Sequence, residues 1–258
     1  MKKLLVIAMA LTGLTVQANE RAESFYRADS NKISVTGGVN FTKIEAERDA
    51  GSTTSKSTSS STAYVLNAEY GLNDDMAIGT TLAQNNSDGE SGLGGYTFFL
   101  KGQVEKFFYQ VWANISPGEQ ADDNFYDGGN SISLMAGYEI NKNFGAFLVY
   151  TPSYDYEYKD SDSDLTNGSS ASYSVYYERV ISDMKTVLVG SYFTNVANEE
   201  DGVKNGKDSQ FAVLSGYLVK DLGMFEFIPS FTYTNYLGED DDLTMTMTTL
   251  GFNLRKSF

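Results

Sequence analysis

The stretch YVLNAEYGLNDDMAIGTTLA, residues 64–83, holds the pattern on which the fold turns. Tyr64, Leu66, Ala68, Tyr70 and Leu72 alternate with Val65, Asn67, Glu69 and Gly71. After the turn formers Asn73, Asp74 and Asp75, the alternation resumes with Met76, Ile78 and Leu82 against Ala77, Gly79, Thr81 and Ala83. Successive side chains of a strand point to opposite faces. Period two on both sides of a tight turn therefore reads as an antiparallel hairpin with one apolar and one polar face.

The same plan extends in both directions. Ile33, Val35, Gly37, Val39 and Phe41 form the apolar set of a preceding strand, and a polar low-complexity loop, AERDAGSTTSKSTSSS, separates it from the hairpin. Downstream, the apolar sets are Tyr96 to Val104, Phe107 to Ile115, Ile132 to Ile140, Phe144 to Tyr154, Ala171 to Tyr177 and Phe225 to Tyr233, with Leu250, Phe252 and Leu254 in the last strand. Segments near 184–194 and 209–219 read as strands with apolar residues on both faces. The total is twelve strands, and ten or fourteen stays open because of that blurred region.

The connections sort into two kinds. Asn73–Asp75, Glu105–Lys106, Asn141–Asn143, Ser182–Asp183 and Lys220–Gly223 are tight, whereas the alternate connections are long and rich in Gly, Ser, Asn and Asp. Tight turns at one end and long loops at the other describe an all-β, transmembrane up-and-down antiparallel β-barrel across residues 32–258. In a bilayer a sheet must close on itself, because no water satisfies a free edge. A soluble sandwich or barrel would alternate too, but would leave the polar face of every strand inside. Aromatic residues fall at two levels, as interfacial belts do: Tyr70, Phe107, Tyr138 and Phe258 near the tight turns, Tyr64, Tyr96, Tyr150, Tyr173, Tyr192 and Tyr233 near the loops.

The N-terminus assigns a compartment. Lys2 and Lys3, an apolar run from Leu4 to Val16 and the Val16-Gln17-Ala18 site read as a secretory signal peptide, residues 1–18, cleaved after Ala18. Residues 19–31, NERAESFYRADSN, form a short polar lead, and whether it plugs the lumen stays open. Losing Lys2 and Lys3 leaves 17 basic against 34 acidic residues, a formal charge of −17, which excludes nucleic acid as a partner. There is no cysteine, so neither disulfides nor a lipidated thiol is available.

On the signal peptide, the alternation over residues 32–258 and a last strand ending in Phe258, the chain resembles the Gram-negative outer-membrane β-barrel, porin-like proteins. The resemblance implies outer-membrane localisation, with lipid and lipopolysaccharide around the barrel. It implies periplasmic chaperones and the barrel-assembly machinery as partners during biogenesis, the latter reading Leu250, Phe252, Leu254 and Phe258. Lys256 departs from the usual pattern of that signal. The oligomeric state stays open.

Barrel enzymes of this kind rely on histidine as base or activator, and this chain has none, so the expectation is no enzyme and no cofactor. Twelve-stranded porins for acidic sugars carry an arginine-rich lumen, which is missing here. The charged residues assigned to the lumen are Glu69, Lys101, Glu105, Glu139, Glu178, Lys185, Glu226 and Arg255, five acids against three bases. They suit a ring of ion pairs with a slight cation preference; the alternative is that they only solvate or brace the interior. In the loops, Asp160, Asp162 and Asp164 alternate and Glu239, Asp240, Asp241 and Asp242 form a run, weak candidates for Ca2+. Leu165 and Ala171 stand where a calcium loop needs glycine and glutamate, so a solvated acidic loop is the favoured reading. The expected function is a passive channel for small hydrophilic solutes; the alternative is a non-conducting surface-interaction barrel with acidic, divalent-ion-binding loops.

Overall fold

The computed structural model describes residues 23–50, 53–87, 90–115, 126–127, 129–158, 165–238 and 243–258. Twelve antiparallel strands close into one barrel. They are β1 Ile33–Ala50, β2 Thr53–Gly71, β3 Met76–Ser87, β4 Glu90–Val104, β5 Phe107–Ile115, β6 Ser131–Asn141, β7 Phe144–Thr151, β8 Ser170–Ile181, β9 Met184–Asn195, β10 Ser209–Asp221, β11 Glu226–Tyr236 and β12 Leu243–Ser257. Every strand pairs with its neighbours in sequence. The ring shuts where β1 meets β12, from Ser34 opposite Ser257 to Arg48 opposite Leu243. Strand number and up-and-down order are those read from the alternation.

The outer face also follows the sequence register. Ile33, Phe41, Leu66, Ile78, Phe98, Leu134, Leu148, Val175, Leu188, Leu214, Phe231 and Leu250 are all exposed. Such a continuous apolar exterior has no place in water and suits lipid. The tight turns demand unusual backbone: Glu105 has φ 53°, Asp183 63° and Gly223 85°.

Three regions depart from expectation. The polar loop between the first two strands is instead a paired ladder: β1 and β2 stay in register from Ile33 opposite Tyr70 to Ala50 opposite Thr53. Alternation of Ser and Thr lacks an apolar face, yet main-chain hydrogen bonds and β-branched threonines sustain a hairpin once the wall below aligns it. Second, the long connections after β5, β7 and β9 contain short strands. Val203–Asn205, Asn198–Glu200, Leu165–Asn167, Tyr154–Tyr158 and Tyr126–Asp127 lie side by side in a second sheet.

The third departure is inside. The lumen was expected to be polar, and on β1 to β4 it largely is, with Ser34, Thr36, Thr42, Asn67 and Gln103 buried there. On β5 to β11 the inner face buries Phe108, Met135, Phe147, Tyr176, Val187, Val189, Tyr217, Val219 and Ile228 as one cluster. A second cluster of Ile44, Phe211, Val213, Met245 and Met247 lies toward the loop end. Aromatic rings fit because glycine lies beneath them: a Cβ on Gly137 would collide with the Phe108 ring, and one on Gly145 with Tyr176.

The plugged end of the lumen as candidate functional site

Residues 23–31 pass into the barrel at the short-turn end. The rim holds the strand that follows. Asn31 N donates to Gly71 O at 2.8 Å, Gly71 N to Lys32 O at 3.0 Å, and Phe258 N to Ile33 O at 2.8 Å. Gly71 is required here, since a Cβ would strike the carbonyl oxygens of Ala28 and Asp29. From this strap the described part of the segment runs back to the far wall, where Glu23–Phe25 form a 3-10 turn.

Each side chain meets a matching part of the wall. Glu23 is fully buried. Both Arg255 Nη1 and Nη2 donate to its Oε1 at 3.1 Å, and Lys185 Nζ lies 3.5 Å from its Oε2. Arg255 Nε donates to Glu226, and Glu23 N donates to Glu178 Oε2 at 2.7 Å. Arginine suits this centre because its planar fork can serve two carboxylates at once. Burial pushes the Glu23 carboxyl up to about 8, against the downward pull of Arg255 and Lys185.

Phe25 enters the apolar half. Its ring stacks on Phe108 with centroids 3.3 Å apart and meets Phe147 and Tyr176 edge-on at 5.4 and 5.5 Å. Edge-on aromatic pairs contribute about 0.5–1.5 kcal/mol each beyond burial. Tyr26 lies under the Arg255 guanidinium, 4.4 Å from ring centroid to Cζ, and burial raises its hydroxyl above the ordinary tyrosine value. Arg27 donates to Gln103 Oε1 and Asp74 O, both at 3.2 Å. Ala28 N donates to Glu69 Oε1 at 2.6 Å, and Glu69 also pairs with Lys101. Lys101 reaches Glu69 over β3, which offers only Ala77 and Gly79 on the inner face between them.

Six of the lumen charges read from sequence thus meet the segment or one another: Glu69, Lys101, Glu178, Lys185, Glu226 and Arg255. Glu139 is half-buried on β6, and its Oε1 has no hydrogen-bond partner among the described residues. Glu105 stands apart, exposed in the turn after β4. Leu250, Phe252, Leu254 and Phe258 are all exposed on the outside of β12 or at its end. Asp160, Asp162, Asp164 and Glu239 to Asp242 lie outside the described residues, as does the signal segment, residues 1–18. Sequence reading missed Glu23, Phe25 and Arg27 as site residues. The signal available was two aromatics, Phe25 and Tyr26, flanked by charges in a short polar lead whose place in the lumen the sequence left open.

A closed ring of twelve antiparallel strands, tight turns at one end, loops at the other and an apolar exterior is a rare combination. The chain has the fold of an outer-membrane β-barrel. Solved structures agree at the level of the fold. An outer-membrane channel from Pseudomonas putida F1 superposes with TM-score 0.61 at 12% identity, over 95% of this chain and 100% of that one. The translocator domain of the autotransporter NalP from Neisseria meningitidis gives 0.57 at 8% identity, covering 98% and 96%. The CymD monoaromatic hydrocarbon channel gives 0.51 at 12%, covering 89% of each chain. No protein-family model matches the sequence, and no curated protein matches it.

Proposed function

We propose that this barrel is an outer-membrane channel for small solutes, closed at its periplasmic end by residues 23–31. One observation carries the reading. None of the strand pairs that close the barrel passes through residues 23–31, which are held by side-chain contacts, by the bonds of Glu23 N and Ala28 N to wall carboxylates and by the strap at Asn31, so these residues can leave without breaking any strand pair of the barrel. Two of the structures that share the fold are described as channels, which supports passage. The lack of histidine in the chain supports passage over catalysis.

With the segment withdrawn, the wall presents Glu69, Glu139, Glu178 and Glu226 against Lys101, Lys185 and Arg255. This excess of one acid favours cations weakly. A non-conducting barrel is the second reading, and the close fit of the plug favours it. Planar-bilayer recording of the full chain and of a variant lacking residues 19–30 separates the two. The channel reading expects rare openings in the first and sustained, mildly cation-selective steps in the second. A silent deletion variant that still shows the heat-dependent gel shift of a folded barrel overturns it.

The remaining assignments stay proposals. Leu250, Phe252, Leu254 and Phe258 are taken as the signal for the barrel-assembly machinery. Deleting Phe258 then lowers the fraction of inserted barrels while leaving their conductance unchanged. Calcium bridging of the acidic residues at 160–164 and 239–242 to each other or to lipopolysaccharide is excluded if calorimetry with Ca2+ gives the same heat before and after their neutralisation.

A further inference from the structure

Two polar atoms of the inner wall are left over once the contacts of the plug are accounted for. The Tyr176 side chain is 1% exposed, yet its hydroxyl has no hydrogen-bond partner among the described residues. The same holds for Glu139 Oε1. Nor does Glu139 form an ion pair among the described residues, whereas Glu69 and Glu226 meet Lys101 and Arg255, and Glu178 accepts from Glu23 N. Lys106, whose carbonyl oxygen accepts from Glu139 N at 2.8 Å, directs its own Nζ to Ile140 O at 3.5 Å.

The fold brings the two leftover atoms to one place. Gly145 of β7 stands opposite Glu139 of β6 on one side and opposite Tyr176 of β8 on the other. Adjacent strands lie about 4.8 Å apart, so the backbones of Glu139 and Tyr176 are separated by about 10 Å. The tyrosine covers most of that span, because its side chain lies across Gly145. A Cβ on Gly145 would come within 2.5 Å of the hydroxyl oxygen and 2.6 Å of Tyr138 O. The hydroxyl is thereby aimed at β6, and Glu139 acts on it electrostatically more than Glu178 does. The ladder between β6 and β7 is irregular between Glu139 and Asn141, and such bulges re-aim side chains.

We propose that the Glu139 carboxylate and the Tyr176 hydroxyl hold one monovalent metal cation over Gly145. A carboxylate set back from bulk water without a counter-charge is costly, and a water molecule would complete its hydrogen bonds without supplying the missing charge. Both donors are oxygen, which suits a hard ion, and one carboxylate matches one positive charge. A divalent ion of the calcium type draws on several carboxylates, and the described residues contain no group of three or more acidic side chains placed to hold a metal. The site is built from β6, β7 and β8 alone, so it stands whether or not the lumen opens.

The probe is Na+. The refolded full chain is melted in nonionic detergent while NaCl replaces choline chloride at constant total salt, so that ionic strength is fixed and only the size of the cation changes. Unfolding is followed by the emission of Trp112, the only tryptophan of the chain. We expect the midpoint to rise with Na+ and to saturate, as for any ligand held by the folded state. Glu139→Gln should abolish the rise, and Tyr176→Phe should move half-saturation about tenfold higher. A midpoint indifferent to Na+ overturns the site. So does an equal rise in wild type and Glu139→Gln, which would place the ion elsewhere on this acidic chain. If Glu139→Gln does not refold, unchanged half-saturation in Tyr176→Phe overturns it as well.

Discussion

The two halves of the inner wall solve different problems. From β12 round through β4 the lumen carries Arg255, Ser34, Thr36, Asn67, Glu69 and Lys101, and charge is matched by charge. From β5 to β11 it carries rings and branched aliphatics, with Phe108 over Gly137 and Tyr176 over Gly145, and the charges Glu178, Lys185 and Glu226 lie toward the short-turn end. The first half is what a water-filled pore needs. The second half needs something apolar against it, and the chain's own Phe25 is what it receives. The lesson is that this lumen is complementary to an amphipathic occupant, with the segment from Glu23 to Ala28 as its resident one.

The sharpest way to break that comparison is to remove its hinge. Arg255→Leu leaves Glu226 without its guanidinium partner and the buried Glu23 with Lys185 alone, and breaking a buried pair costs about 3–5 kcal/mol. Urea titration of the folded gel species should show a correspondingly lower midpoint than wild type. Phe25→Ala acts on the apolar half alone. Loss of a buried phenylalanine costs about 3–5 kcal/mol in a packed core, and here we expect about 3, felt in docking of the segment and not in the barrel. In single-channel records the open fraction should rise while the urea midpoint of the barrel stays unchanged.

The third effect is a pH dependence. Docking raises the Glu23 carboxyl from its ordinary 4.5 to about 8, so the docked segment holds a proton that the free segment gives up. This contribution is fully present below pH 4.5 and is lost as pH rises through about 8. Open fraction should therefore increase from pH 5 to pH 9, and Glu23→Gln should flatten the curve. A wild-type curve with the opposite slope would place the charged carboxylate in the docked state. The smallest effect is the control on the outer hairpin. The Lys56–Glu47 pair is 2.7 Å apart but solvent-exposed, so Glu47→Ala should change the unfolding free energy read from urea titration by less than about 0.5 kcal/mol.

Much of the architecture was legible because period two is a local property. Tyr64, Leu66 and Tyr70 face outward whatever the other strands do, and each tight turn fixes the register of the next strand. The blur at 184–194 and 209–219 was itself a signal. Val187, Val189, Val213, Tyr217 and Val219 are apolar on the inner face because they line the half that receives Phe25 or the loop-end cluster. The hairpin beyond Thr42 was not legible, since Ser and Thr serve loops and strands alike until a wall below sets their pairing.

The candidate site divides in the same way. Its wall charges, Glu69, Lys101, Glu178, Lys185, Glu226 and Arg255, could be named from alternation alone. Their partners could not, because Glu23 is 232 residues from Arg255 and 162 from Lys185 along the chain. The sequence by itself pointed to twelve strands with ten or fourteen open, and determined the face of most side chains and the two ends of the barrel, all consequences of short-range geometry. Only the tertiary structure decided that the polar lead enters the lumen and that an aromatic half and an ionic half adjoin there. Closure of the ring brings both walls within reach of one short segment, and no local pattern encodes that distance.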